Sequence, residues 1–360
     1  MSGRVYLDYN AAAPLRPEAR AAMVAAMDEV GNPSSVHAEG RTAKALIETA
    51  RAQVAEAVGA QGADIVFVSG ATEAAALACA GRGLHGAGIE HDAVRAWIIQ
   101  DLPVDATGRV YVAAPATSVL QMANSETGRL QELPFGLAVS DMTQAFGKIP
   151  LAFDQSGVEM ALVSAHKMGG PKGIGALILK RGLDVTAQIK GGGQEMGRRS
   201  GTENLIGIAG FGAAVRAATQ DLKSGVWERV EKIRNILEKT LESEAKGTIL
   251  IGKSVPRLPN TSYLATPGWK GETQVMQMDM AGFAISAGSA CSSGTAKVRH
   301  VLRTMGMTER EAGSAIRVSL GPGTTEAEVL AFADAWLAAL KRFRIRDARR
   351  TASDDQGVKT

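Results

Sequence analysis

The chain has 360 residues, 45% of them apolar and 21% charged, which suits one large soluble domain and one smaller one, because single cores stop growing near ~250–300 residues. A formal charge of +3, with no stripe of arginines and aromatics, argues against nucleic-acid binding, and no apolar run reaches the ~20 residues of a membrane span. Two cysteines, Cys79 and Cys291, form no disulfide framework and no metal-ligand spacing with the histidines, and the N-terminus lacks a basic-then-apolar leader, so the expectation is a soluble cytoplasmic protein.

In chain order, residues 5–9 are extended, and Pro14 and Pro17 lead into a helix over 18–29. The turn-rich loop GNPSSVHAEG precedes an amphipathic helix over 42–58, with Ala43, Leu46, Ile47, Ala50, Val54 and Val58 on one face. Residues 64–69, DIVFVS, read as a buried strand. Gly70-Ala71-Thr72-Glu73 then opens an alanine-rich helix, whose free N–H groups and Thr72 hydroxyl suit a phosphate, although a plain helix cap explains the same residues. Residues 84–115 show little beyond a strand near 96–100. A strand over 118–123 ends in NSETG, and another over 137–140 ends at Asp141, with Gln144 one helical turn on.

The segment ALVSAHKMGGPKGIGALILK, residues 161–180, is strand, polar triplet, glycine-rich turn and second strand. Three strands thus end at Asn124, Asp141 and Lys167, and in an open α/β sheet ligands bind beyond such carboxyl ends. Lys167, set in a tight and partly desolvated turn, favours the neutral amine. Such an amine attacks carbonyls, as in a Schiff base with pyridoxal phosphate, while the plain alternative is a surface lysine in a turn.

A polar glycine loop over 191–204 follows, then helices over 205–218 and 225–243. After Gly247 come short strands in TILIG, NTSYLA and GFAISAG, a helix in VRHVLRTMG, a strand in AIRVSLG and a helix over 326–343. The expected division is a large domain over 15–247, a small one from 1–14 with 248–345, and a polar, disordered tail over 346–360.

The motifs LDYNAAAP, GNPSSVHAEG, SGATEA, EHDAV, MANSETG, SDMTQAFGKIP, SAHKMGGPKGIGAL, GGGQEMGRRSGTEN, SAGSACSSG and IRVSLGPGTT occur in the order found in one family. The chain resembles the cysteine desulfurases that depend on pyridoxal 5'-phosphate (PLP) and belong to the fold-type-I, class V aminotransferases, over about residues 5–340. The resemblance implies a large PLP-binding domain with a mixed, mostly parallel sheet and a smaller α+β domain. It implies that Lys167 holds the cofactor and later moves protons on the substrate carbon. Asp141 would face the pyridine nitrogen, where its charge keeps the ring protonated. His91 would stack on the ring, Gln144 and Asn124 would lie near the ring oxygen and the substrate, and Thr72, Ser164 and His166 would bind phosphate. Thr202 would reach the phosphate of the partner subunit in a homodimer. Arg317 would fork onto the substrate carboxylate, with Asn32 nearby.

Cys291, in a loop of small residues, would attack the sulfur of L-cysteine, leaving alanine and a persulfide for a sulfur-acceptor or scaffold protein in iron–sulfur cluster assembly or thiolation. Cys79, on an alanine-rich helix, reads as core. A selenocysteine lyase, another PLP lyase or aminotransferase, or a weakly active homologue serving as a binding protein are the alternatives. The chain departs from the family at Asn124-Ser125, where two asparagines are usual, at Gly321-Pro322-Gly323, and over 84–118, which looks short by about a helix and a strand.

Overall fold

The structure, a computed structural model, describes residues 3–288 and 300–357, with side chains through Arg349. β1 (Val5–Tyr6) is followed by α1 (Pro17–Met27), which has a proline in its first turn, where a missing N–H costs nothing. α2 (Ala38–Val58) begins earlier than its apolar spacing suggests because His37 caps it, Nδ1 accepting from the Gly40 N–H. β2 (Ala63–Val68) leads to α3 (Ala71–Cys79). The sparse stretch after residue 84 contains β3 (His85–Ala87), α4 (Asp92–Arg95) and β4 (Ile99–Leu102), more structure than the sequence suggests. β5 (Val119–Gln121), β6 (Val139–Asp141), α5 (Phe153–Ser156), β7 (Met160–Ser164) and β8 (Gly175–Lys180) follow. Then come α6 (Leu205–Lys223), α7 (Val226–Glu244), β9 (Ile249–Ile251), β10 (Thr261–Ala265), α8 (Gly271–Met280) and β11 (Phe283–Ala284). The described chain resumes with α9 (His300–Thr304), α10 (Glu309–Ala312), β12 (Ala315–Ser319) and α11 (Glu326–Gly357).

The main sheet has the order β2-β8-β7-β6-β5. β5, β6 and β7 are parallel, and β8 is antiparallel to both of its neighbours, so the sheet is mixed as expected. The parallel pair β3–β4 joins its edge through a bridge between His85 and Ser118. Alternation at period two explains why both faces are covered. Ile65, Phe67, Ala161, Val163, Ala176 and Ile178 pack with Ile47, Ala50 and Val54 of α2 and Phe211 and Val215 of α6. Val66, Val68, Leu162, Leu177 and Leu179 pack with Ala74, Leu77 and Ala78 of α3. Each such aliphatic side chain contributes roughly 1.5–3 kcal/mol by leaving water. The covered faces leave the strand ends as the place where polar side chains meet.

A second, antiparallel sheet, β12-β10-β9, packs with α7, α8 and α11 around Trp227, Leu237, Trp269, Phe332 and Trp336. β1 pairs in parallel with β11, Val5 opposite Phe283, which fixes the N-terminal strap against this layer. Of the tail expected to be disordered, residues 346–357 continue α11, which ends at Gly357. It holds no proline, and extending an existing helix avoids the nucleation cost.

Candidate active site

β2, β5, β6 and β7 end on one side of the sheet, and beyond them lies a cavity of about 400 Å³. Its wall includes Thr72 at the start of α3, His91, Asp141, Gln144, Ser164, His166 and Lys167. Seven of the residues expected from the sequence therefore meet in one place. Gly175 makes this closeness possible: a Cβ there would lie 2.5 Å from the Val163 carbonyl oxygen and 2.8 Å from Gly70 Cα. Glycine lets the start of α3 pack against β8 beside the end of β7.

One end of the cavity is built for an anion. The first N–H groups of a helix have no intrahelical partners. Around them stand the Thr72 and Ser69 side chains, Ser164 Oγ 2.8 Å from His166 Nδ1, and the cation Lys172. Burial, with help from Lys167, Lys172 and His91, pushes the His166 imidazole down to about 4, so it is neutral at neutral pH. A neutral imidazole presents a donor without an added charge.

Asp141 stands at the end of β6, and its Oδ1 accepts the Thr143 N–H at 2.9 Å. His91 is the N-cap of α4; its Nδ1 accepts from the Ala93 N–H at 3.1 Å, which leaves Nε2 to carry the proton of the neutral ring. Lys167 sits on the turn after β7, and its Nζ donates to the Asn10 and Ala11 carbonyls at 2.7 and 2.9 Å. A lysine, a carboxylate and an anion pocket around one cavity match the carbonyl, the ring nitrogen and the phosphate of PLP. The donor set fits that cofactor, whose site this chain's own side chains build.

Other expected residues lie elsewhere. Asn124 does not line the cavity: its Oδ1 accepts from the Glu126 and Thr127 N–H groups, and its Nδ2 donates to the Ile89 carbonyl at 3.1 Å. Its polar atoms are engaged by the NSET turn and the His91 loop, one residue from the cavity residues Ala123 and Ser125. Asn32 also lies off the cavity wall, its Oδ1 accepting the Ser34 N–H at 2.9 Å. Thr202 lines a neighbouring cavity of about 190 Å³ that shares Ser69 and Gly173 with the first.

Arg317, on β12 and only 1% exposed, donates Nη2 to Asp8 Oδ1 at 2.8 Å and Nη1 to the carbonyl of Ser125, a cavity residue. Its Nε has no hydrogen-bond partner among the described residues. Cys291 lies outside the described residues; Ser286 before it pairs with Arg317 and donates Oγ to Asp8 Oδ2 at 2.8 Å. Sequence reasoning gave no role to Gln121 and Lys172 on the cavity wall, or to Asn10 and Lys148 behind it. Lys172 was within reach, since PKGIG places a cation in the glycine turn after Lys167. Gln121 carried no signal: its Nε2 holds the Ile89 carbonyl at 2.8 Å, across the sheet edge.

The fold and this cavity define a PLP enzyme of fold type I. The model of the class-V aminotransferase family matches residues 5–94 and 121–332, and the gap overlaps the segment that looks short in the sequence. A cysteine desulfurase of Cereibacter sphaeroides is 38% identical over 363 residues, which covers 91% of this chain and 93% of that protein. The X-ray structure of a NifS-like protein from Rickettsia africae matches with a TM-score of 0.83 at 33% identity, over 92% of this chain and 98% of that one. A structure described as SspA in complex with cysteine matches with a TM-score of 0.73 at 27% identity, over 89% of this chain and 100% of that one. The chain belongs to the class-V aminotransferase family, and within it to the PLP-dependent cysteine desulfurases.

Proposed function

We propose that this protein converts L-cysteine to L-alanine and passes the sulfur, as a persulfide on Cys291, to an acceptor protein of iron–sulfur cluster assembly or thiolation. The observation that carries the reading is the meeting of Lys167, Asp141, His91 and the anion pocket in one cavity at the strand ends. PLP, when bound, supplies a sink for the electron pairs released at the substrate's α and β carbons. Thr72, Ser164 and His166 would hold its phosphate, Asp141 would keep its ring nitrogen protonated, and His91 would cover its ring. Lys167 takes the α-proton and returns a proton to carbon. Arg317 binds the substrate carboxylate at the rim beside Ser125, with its Nε available for that contact.

The Cys291 thiolate attacks the substrate sulfur: an S–S bond forms, the Cβ–S bond breaks with its electron pair left on carbon, and protonation of that carbon yields alanine. Cys79 cannot take this role, because burial pushes its thiol up to about 12. The protein works as a homodimer, with Thr202 directed at the partner's phosphate site; the exposed apolar side chains Val24, Met27, Val30 and Val36 support such an interface. Residues 15–247 form the cofactor-binding domain, and 1–14 with 248–345 the domain that carries Cys291. Among the described residues no helix is long and apolar enough to cross a membrane, and the cytoplasm is the proposed location.

The test compares wild type, Lys167→Ala and Cys291→Ala for visible absorption and for alanine and sulfide released from L-cysteine. The expected wild type is yellow and gives equal alanine and reducible sulfur. Lys167→Ala is expected to lack the band, and Cys291→Ala to keep the band and lose turnover. Cysteine turnover that survives Cys291→Ala would refute the persulfide step, and accumulation of a keto acid would indicate an aminotransferase instead.

A further inference from the structure

Behind the cavity wall lies a second lysine, buried, with no part in the chemistry described so far. Lys148 is 2% exposed and follows Gln144 by one helical turn, so both side chains leave the same side of the chain after β6. Its Nζ donates to Gln144 Oε1 and to Asn10 Oδ1, each at 2.9 Å. No carboxylate lies in ion-pair range of it among the described residues. A fully buried ammonium without a counter-charge is costly, and the charged groups that act on it, Lys167 and Arg317, are themselves cations. Burial and these two cations hold the amine well below the usual lysine range. A neutral amine has two N–H donors, and the pocket offers two acceptors; a third donor would have no partner.

We infer that Lys148 is a positioning residue, which fixes through Gln144 and Asn10 the directions of the hydrogen-bonding groups that face Lys167. Gln144 lines the cavity and Lys148 does not, so Lys148 acts through its neighbours. An amide can be flipped end for end, and an N–H delivered to Oε1 settles which end is which. With Oε1 held by Lys148, Gln144 Nε2 points at the Asn10 carbonyl at 3.0 Å. The same carbonyl accepts Lys167 Nζ. Asn10 is itself fixed on the far side: its N–H donates to Ser319 Oγ, its Nδ2 to Thr261 Oγ1, and its Oδ1 also accepts Asn260 Nδ2. The amine of Lys148 therefore closes a rigid frame between the second sheet and the reactive lysine.

The inference rests on the reading of Lys167 as the cofactor-holding lysine and of Gln144 as a donor toward the ring oxygen. A directed donor there stabilises the deprotonated oxygen and so lowers the proton affinity of the bound cofactor. The experiment is a pH titration of the visible absorption of PLP-loaded protein for wild type, Lys148→Met, Gln144→Ala and the double variant. Lys148→Met is expected to raise the proton affinity of the band about tenfold, the scale of one charge-assisted hydrogen bond. The double variant is expected to titrate like Gln144→Ala alone. A Lys148→Met curve that superimposes on wild type, whatever the change in melting temperature, overturns the inference, as do additive shifts in the double variant. Asn10→Ala removes one of the two acceptors that fix Lys148 and carries the same expectation; where Lys148→Met does not fold, an unshifted Asn10→Ala curve overturns the inference. A wild type without any cofactor band would overturn the reading of the cavity and this inference with it, whereas a titrating wild type with unshifted variants would overturn this inference alone.

Discussion

Glu90, next to His91, offers the sharpest test of how this site handles charge, through Glu90→Gln. The side chain is fully buried; Oε1 accepts the Gln121 N–H at 3.0 Å, and Oε2 has no hydrogen-bond partner among the described residues. Burial above all, and the nearby Asp141 charge, raise the carboxyl well above its ordinary 4.5, so the folded protein keeps this proton to higher pH than the unfolded chain does. A raised folded-state value means that the stability tied to this group is complete below about 4.5 and is lost as pH rises toward the folded value. Each pH unit over which only the unfolded chain ionises costs ~1.4 kcal/mol. From pH 5 to pH 7 that amounts to at most about 3 kcal/mol. Glutamine keeps the shape and does not titrate. Urea unfolding of both proteins at saturating PLP, at pH 5, 6 and 7, should show wild type losing stability relative to Glu90→Gln by up to that amount. Other ionising groups are common to both and cancel in the difference. Two parallel stability–pH curves would refute the assignment of a raised value to Glu90.

The two thiols should separate on alkylation. With its thiol pushed up to about 12 and fully buried, Cys79 should stay unmodified by iodoacetamide at pH 8 in native protein, and mass spectrometry should place the label on Cys291. Asp8→Asn retains an acceptor for Arg317 Nη2 and removes the charge that pairs with a guanidinium only 1% exposed. That loss should cost about 1–3 kcal/mol of stability and raise KM for L-cysteine more than it lowers kcat, because the fork loses its fixed orientation; an unchanged KM in steady-state kinetics would show that Asp8 does not set the arginine.

Much of the large sheet was legible because its signals are local. The 3.6-residue spacing of Ala43, Ile47, Ala50, Val54 and Val58 marks α2, and the apolar runs on both sides of the Lys167 turn mark β7 and β8. Asp141, Gln144, Ser164, His166 and Lys167 were found because each rides within a few residues of a strand end, so one motif carries both the side chain and its placement. The tail misled because composition alone, without the helix it extends, resembles a disordered segment. β3 escaped, and β4 was placed a few residues early, because strands of three and four residues are too short to show a period.

What sequence could not supply is the set of partners that lie far apart in the chain. Asn10 was visible within LDYNAAAP, but its role comes from Ser319, Thr261, Lys148 and Lys167, which lie 309, 251, 138 and 157 positions away. Arg317 was singled out by its motif, yet its fixed position depends on Asp8, which no spacing links to β12. Asn124 shows the local counterpart: the turn that follows its strand needs an acceptor for two backbone N–H groups, and the asparagine satisfies them. Motif residues therefore mark where the cavity lies, and the competition of buried donors for acceptors decides which of them reach it. Lys148 follows from the same rule: with two acceptors and no counter-charge, a buried amine is of use as an orienting donor rather than as a cation.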